Sequence, residues 1–429
     1  MLKKHRGEHE PRRPVKLPAM FHRRAGIKGW VQRLAAAALA VTMPLFGAVS
    51  YYQKTLPDSF YMQSADSAYF SGNELLHFSS GTGQKAAEAS TGLNQNFFTD
   101  VNLFGVIPIK DVHVSVADKP QVVVSGEPFG VKMFTDGVVV VGISPVQTKS
   151  GSENPGEKAG LKVGDVIVQV NSQTVKSNDD LIALARTGDK LNIHYRRDGS
   201  DGYTSIQPVE SKDGGYKIGI WVRDSTAGIG TMTFIDATRG VFAGLGHGIS
   251  DSDTREIMPL ENGEIVDAAI SGVKKGKAGT PGELRGNFFN SSVLGSLKQN
   301  GETGVYGQYY RQAEGETLPI AYKQEVKAGA AQILTTIDGE TPTLYDIEIE
   351  KVGLNDREKT RNMVIHITDG ILLSKTGGIV QGMSGSPILQ NGQLVGAVTH
   401  VLVNDPTRGY GIFAENMYDT ARQIEGNAQ

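Results

Sequence analysis

A serine hydroxyl becomes a useful nucleophile only when a base takes its proton and preplaced N–H donors meet the oxyanion that forms. Ser384, in Gly382-Met383-Ser384-Gly385-Ser386-Pro387, has the neighbours for that chemistry. Glycine permits a tight turn, and Gly382 and Gly385 let the N–H groups of Gly382 and Ser384 converge on one point as an oxyanion hole. The reaction to expect is acyl transfer with Ser384 attacking a carbonyl. For the hexapeptide alone, a plain glycine-rich hairpin is the competing reading.

The base should be a histidine, and the chain has nine. His247 has the best context. It ends the apolar run Phe242-Ala243-Gly244-Leu245-Gly246-His247-Gly248, whose small residues allow another segment to come close. It precedes Ser384 by 137 residues, which places the two in different halves of one domain. His366 and His400 sit in strand-like runs and are read first as packed or surface histidines; Thr399-His400-Val401 could also lie beside substrate backbone. His5, His9, His22, His77, His113 and His194 fall outside the domain. The orienting acid stays open between Asp369, which ends the run Ile365-His366-Ile367-Thr368, and Asp267, which comes earlier in the chain. Asp251 and Asp253 read as solvated turn residues, and a Ser–His dyad is a further option.

The elements that must position these residues begin with export. Residues 1–33 hold ten Lys or Arg against two Glu, a balance of +8 in a chain whose total is −3. Leu34 to Gln53 then carries no charge and has roughly the ~20 apolar residues that cross a bilayer. A basic flank before such a segment stays in the cytoplasm, so the rest is expected on the far side, with the segment kept as an anchor or cut after Ala48-Val49-Ser50. That pattern argues against a nucleic-acid arm. The absence of cysteine excludes disulfides, a thiol nucleophile and thiolate metal sites. No metal or other cofactor is expected.

At 429 residues the chain should hold two folded domains. Residues 54–98, rich in Ser, Gly, Thr and Asn, read as a stalk, and 99–125 as a strand-rich lead-in. Residues 126–206 resemble a PDZ domain of the bacterial type, through Pro128-Phe129-Gly130-Val131, Pro155 to Leu161, Gly164-Asp165-Val166-Ile167 and Val170-Asn171. The spacing of Leu181, Ile182, Leu184 and Ala185 predicts a helix over Asn178–Arg186, capped by Asn178 or Asp179. The PDZ resemblance implies an open sheet edge for an extended peptide, with Phe129, Gly130 and Val131 forming the loop that receives its carboxylate. Residues 216–425 show many short apolar or alternating runs between glycine turns, which predicts a mainly β fold of one or two barrels. A short helix from Ala414 to Ile424 should close the chain.

The Ser384 turn resembles the Gly-x-Ser-Gly-x-Pro turn of chymotrypsin-like proteases, which implies a double β-barrel serine protease domain after the PDZ domain. The chain as a whole, over about residues 100–425, resembles the stage IV sporulation protein B family, PDZ-containing signalling serine proteases of endospore-forming bacteria. The pieces that carry this are LFGVIPIK, GVKMFTDGVVVVG, RDSTAGIGTMTF, GLGHGISDSDTREI, KTGGIVQGMSGSPI and GAVTHVLVNDPTRGYGIF. The resemblance places the family's serine, histidine and aspartate on Ser384, His247 and Asp369; Gly370 departs from the proline expected after the aspartate. It implies an endopeptidase in the inner forespore membrane, with its catalytic part in the intermembrane space. There it would cleave itself and the extracytoplasmic part of a membrane regulator, releasing a protease that matures a sigma factor. The PDZ domain would hold substrate, the protein's own amino-terminal region or another copy. A general quality-control protease and a non-catalytic PDZ scaffold are the alternatives; the first usually carries its PDZ domains after the protease.

Overall fold

The computed structural model describes residues 27–63, 70–71, 73–79 and 96–425. Most of the expected basic segment, and stretches 64–69, 72 and 80–95 of the expected stalk, lie outside the described residues. The uncharged segment forms a helix, α1 (Ile27–Thr55), longer at both ends than the uncharged run. Within its Trp30–Thr55 part an 18-residue stretch reaches a mean hydropathy of 1.7, and the part is long and apolar enough to cross a membrane. Pro44 lies inside it. The chain from Thr55 onward forms a separate unit.

That unit opens with a four-stranded sheet of β1 (Ser59–Met62), β2 (Leu76–Phe78), β3 (Asn96–Leu103) and β4 (Ile107–Val116), in the order β1-β4-β3-β2. Parts of the expected stalk are therefore folded. Phe60, Met62, Leu76 and Phe78 are buried, and the rings of Phe60, Phe70 and Phe78 pack together. A strand of three or four residues carries only two inward side chains, too few to register as alternation among serines and glycines.

The next segment supplies β5 (Gln121–Val124), β6 (Pro128–Ile143), the hairpin β7 (Val146–Thr148) and β8 (Gly151–Glu153), α2 (Pro155–Lys158), β9 (Val166–Val170), β10 (Gln173–Thr174), α3 (Asn178–Arg186), β11 (Leu191–Arg197) and β12 (Ser200–Ile206). Val138, Val140, Ile167, Val170, Leu181, Leu191 and Ile193 form the core here. Helix α3 has the predicted ends, but its N-cap is Ser177, which exchanges capping bonds with Asp180. Of the four apolar residues expected on its inner face, Leu181 and Ala185 are buried and Ile182 is exposed.

Two barrels follow. After the small pair β13 (Val209–Glu210) and β14 (Tyr216–Lys217) come β15 (Ile220–Asp236), β16 (Val241–Gly244), β17 (Leu260–Lys274), β18 (Glu283–Gly301), β19 (Gly304–Tyr309) and β20 (Thr317–Pro319). Their pairings run β6-β17-β18-β19-β16-β15 and return from β15 to β6, closing a six-stranded ring. A second closed barrel takes the order β21-β22-β23-β26-β25-β24. Its strands are β21 (Gly329–Thr335), β22 (Thr343–Val352), β23 (Met363–Ile367), β24 (Pro387–Gln390), β25 (Gln393–Val401) and β26 (Arg408–Phe413). Helix α4 (Gly370–Thr376) precedes the nucleophile turn, and α5 (Ala414–Ala421) ends the described fold. Val122, Phe234, Ala397, Ile412 and Met417 join both barrels and α5 in one apolar cluster. The molecule is a mainly β protein with a PDZ domain and a double β-barrel.

Strand β6 belongs to both modules. Its first half sends Phe129, Val131 and Met133 into the first barrel's core, and its second half sends Val138 and Val140 into the PDZ core. This corrects the expected carboxylate-binding loop. Phe129, Gly130 and Val131 lie in a strand paired on one side with Gly228 to Gly230 of β15 and on the other with Ile265 to Asp267 of β17. No edge is open there. Phe129 and Val131 are buried, at about 1.5–3 kcal/mol for each such side chain. An apolar-glycine-apolar run reads equally as a loop or as a strand whose glycine admits a neighbour, and the neighbours here are Phe288 and Val266, packed over Gly130. A boundary between 206 and 216 thus separates the cores but not the strands.

Candidate active site

His247 enters the site just beyond β16, through a tight turn. Gly244 ends the strand, Leu245 adopts φ 66° and Gly246 φ 70°. A side chain at Gly246 would place its Cβ 3.0 Å from Ile412 and Thr399 of the second barrel, so glycine is needed for the barrels to meet here. Ser384 enters from the other side, in the turn between α4 and β24. Gly382 has φ 98° and Gly385 φ 94°, both in the region that favours glycine. A Cβ at Gly385 would lie 2.0 Å from the Thr231 carbonyl.

The nucleophile turn is tied across to the first barrel. Thr231 of β15 donates its N–H to the Ser384 carbonyl at 3.0 Å and its hydroxyl to the Gly382 carbonyl at 2.8 Å. Thr233 donates its hydroxyl to the Gly385 carbonyl at 2.7 Å. Within the second barrel, Gly385 N–H bonds the Val398 carbonyl, and the buried Ser386 hydroxyl bonds the Thr335 hydroxyl. With its carbonyls held from outside, the turn keeps two of its amides free. Neither Gly382 N–H nor Ser384 N–H is given to a partner among the described residues. That is the state an oxyanion hole requires.

His247 and Ser384 line one cleft of about 700 Å³ between the barrels. Its walls include Thr226 to Ile229 and Ile249 from the first barrel and Ile379, Val380, Val401 and Val403 from the second. The Ser384 hydroxyl donates to the Thr399 carbonyl at 2.8 Å. His247 Nδ1 bonds the carbonyl of Gly248 at 2.9 Å, which leaves Nε2 as the ring nitrogen available for proton transfer. Burial lowers the His247 pKa, with the Gly248 carbonyl opposing. His400 also lines the cleft, its ring centroid 4.9 Å from that of His247. Its Nδ1 is buried without a partner, and its pKa falls to about 4 through burial first, then the charges of His247 and Arg361. His366 lies elsewhere, with Nδ1 3.6 Å from Glu350.

The expected acids do not reach His247. Asp369 is the N-cap of α4, its carboxylate accepting from Leu372 N–H at 2.8 Å. Asp267 is paired with Arg311. Asp251, read as a solvated turn residue, is buried; it accepts from the amides of Asp253 and Thr254 and is joined by Arg223, which also pairs with Asp253. The group oriented on His247 Nδ1 is a backbone carbonyl, which no side-chain pattern could have revealed. Thr231 was likewise missed, although two threonines in Thr231-Met232-Thr233 alternate toward one face. Among the described residues no group of three or more His, Asp or Glu is arranged to hold a metal ion.

Residues 214–418 match the family model of the SpoIVB peptidase S55, and residues 128–207 match that of the PDZ domain. The chain carries the peptidase domain of the SpoIVB S55 family. It is therefore a serine peptidase with a PDZ domain ahead of its catalytic barrels. No curated protein matches the S55 chain. Among solved structures, the Rv3671c protease from M. tuberculosis in its active form is 15% identical over 48% of this chain and 76% of its own, with a TM-score of 0.27. The HtrA-type protease AlgW with decapeptide is 13% identical over 47% and 54%, also at 0.27. The PDZ domain of the SdrC-like protein from Listeria monocytogenes is 25% identical over 20% and 87%, at 0.17. The PDZ match takes in β6 and the S55 match takes in β15, the paired strands through which the modules join.

Proposed function

We propose that this S55 peptidase is a membrane-anchored endopeptidase in which Ser384 is the nucleophile and His247 the general base. The observation that carries the reading is that the two side chains come from separate barrels and line one cleft beside two unengaged amides. The Ser384 hydroxyl turns from the Thr399 carbonyl to His247 Nε2, which takes its proton as Oγ attacks the scissile carbonyl. Gly382 N–H and Ser384 N–H then meet the oxyanion, and His247 returns the proton to the leaving amine. Water hydrolyses the acyl-enzyme by the same steps. With the Gly248 carbonyl orienting the imidazole, the centre works as a Ser–His dyad, and Asp369 serves by capping α4. Labelling of Ser384 by a fluorophosphonate probe tests the nucleophile: Ser384→Ala should lose both label and proteolysis while unfolding at the same temperature. Proteolysis retained by that purified variant would sink the assignment.

The biological setting is an extension of the family resemblance. α1 is read as the anchor that places the barrels outside the cytoplasm, in the space between forespore and mother cell. The substrates are the protein's own amino-terminal region and the extracytoplasmic part of a membrane regulator whose cleavage triggers sigma-factor processing. The PDZ domain serves to hold substrate or a second copy. Mapping the fragments released from proteoliposomes by the active enzyme and by Ser384→Ala tests self-cleavage directly, since only the active enzyme should shed the body from α1.

A further inference from the structure

The hairpin joining β3 and β4 has an unusual tip. Phe104 has φ 55° and Gly105 φ 73°, so both central residues of the turn lie in the left-handed region, and Val106 N–H closes it on the Leu103 carbonyl. Turns of this kind take Asn or Asp before the glycine, because a bulky side chain is strained at positive φ. Here the strained residue is a phenylalanine, and it is 55% exposed, beside Val106 at 77% and Leu75 at 45%. Leu75 is part of the same tip, its carbonyl accepting from Phe104 N–H at 2.7 Å. Neither core packing nor turn chemistry accounts for an apolar ring held outward in a disfavoured backbone. Such an outlier points toward an occupant.

Sheet polarity says which occupant. β1 runs parallel to β4, with Ser59 opposite His113, so the residues before Ser59 lie back along β4 toward the hairpin tip. Lys110 fixes them there, donating to the Leu56 carbonyl at 2.8 Å and pairing with Asp58 at 2.5 Å. Thr55, where the chain leaves α1, is therefore at the same end of the sheet as Phe104 and Val106. Covalent continuity then keeps that end of the sheet within a few residues of α1.

We propose that the tip Phe104-Gly105-Val106, with Leu75, inserts its apolar side chains into the leaflet from which α1 emerges. This rests on reading α1 as a membrane anchor. Aromatic side chains are favoured at that depth, and a shallow apolar tip adds to a helix anchor without spanning anything. Two contacts with the membrane, the helix and the tip, would fix the orientation of the peptidase body over the bilayer instead of letting it swing about Thr55.

The chain has no cysteine, so a single introduced thiol is labelled uniquely. The full chain in proteoliposomes would carry an environment-sensitive fluorophore at Val106→Cys or Phe104→Cys. Leu39→Cys in α1 serves as the buried reference and Tyr203→Cys, 76% exposed on β12, as the solvent reference. The tip labels should shift to the blue and be quenched by spin-labelled lipids several-fold more than the label at 203. A quenched label at 39 with water-like labels at 104 and 106 overturns the tip contact and leaves the anchor standing. An unquenched label at 39 overturns the anchor, and with unquenched tip labels overturns both. A blue shift at the tip without lipid quenching means that a protein covers it, which also overturns the proposal.

Discussion

The amide of Thr231 donates to the carbonyl of Ser384 at 3.0 Å, so a strand of the first barrel holds the nucleophile of the second. The same residue's hydroxyl holds Gly382, the other side of the turn, at 2.8 Å. Thr231→Val keeps the amide bond and removes the hydroxyl, leaving the Gly382 carbonyl short of a partner. The expected cost is about 1–3 kcal/mol of stability. Turnover should fall by about tenfold with little change in KM, since the oxyanion donors rather than the substrate contacts are displaced. Thermal unfolding and peptide hydrolysis would measure the two effects. Unchanged turnover would show that the turn holds its shape without Thr231.

Asp369 caps α4, and asparagine caps nearly as well as aspartate. Asp369→Asn should therefore label with a fluorophosphonate at close to the parent rate, and Asp369→Ala should lose about 1 kcal/mol of stability. His247→Ala should lose labelling altogether. If the asparagine variant were as dead as His247→Ala, a negative charge at 369 would be part of the chemistry after all.

The two partly buried histidines of the cleft set a pH dependence. Burial lowers the pKa of His247 below its ordinary 6.5, and His400 falls to about 4. In the unfolded chain both would take up protons near ~6.5. The folded protein therefore binds fewer protons in this range, and its stability, fully present above pH ~6.5, declines as pH falls toward 4. For activity, the acid limb of kcat/KM should lie below 6.5, because His247 stays neutral and able to accept a proton there. An acid limb at or above 6.5 would contradict a lowered pKa for His247.

Gly130 distinguishes a barrel strand from a peptide-binding loop. A Cβ there would lie 2.6 Å from Phe288 and 2.8 Å from Val266. Gly130→Ala should overpack the first barrel and destabilise it by about 1–3 kcal/mol, seen as an earlier denaturant midpoint. Full stability combined with lost binding of a carboxy-terminal peptide would restore the loop reading.

The parts legible in the sequence were those with local causes. Glycines around Ser384 and before His247 marked turns that only glycine allows, and the spacing in Asn178–Arg186 gave a helix with the right ends. What escaped depends on pairing between distant segments. The identity of Phe129 to Val131 as a barrel strand is decided by residues 228–230 and 265–267, roughly a hundred positions away. Likewise β1 and β2 become strands only because β3 and β4 receive them. The partner of His247 Nδ1 is a main-chain carbonyl, which leaves no trace in residue types.

Strand β6 gives the two modules a shared stave. A peptidase half begun at residue 216 would be a cask with one board missing, because Phe129, Val131 and Met133 fill the first barrel from a strand encoded before the PDZ helix. Likewise a PDZ domain cut out at residue 206 would carry away that board, with one face stripped of β15 and β17. Dissection of this protein into independent pieces must therefore fail at either cut. Any force applied to the PDZ domain travels along a continuous backbone into the wall of the catalytic barrel, with no slack between them.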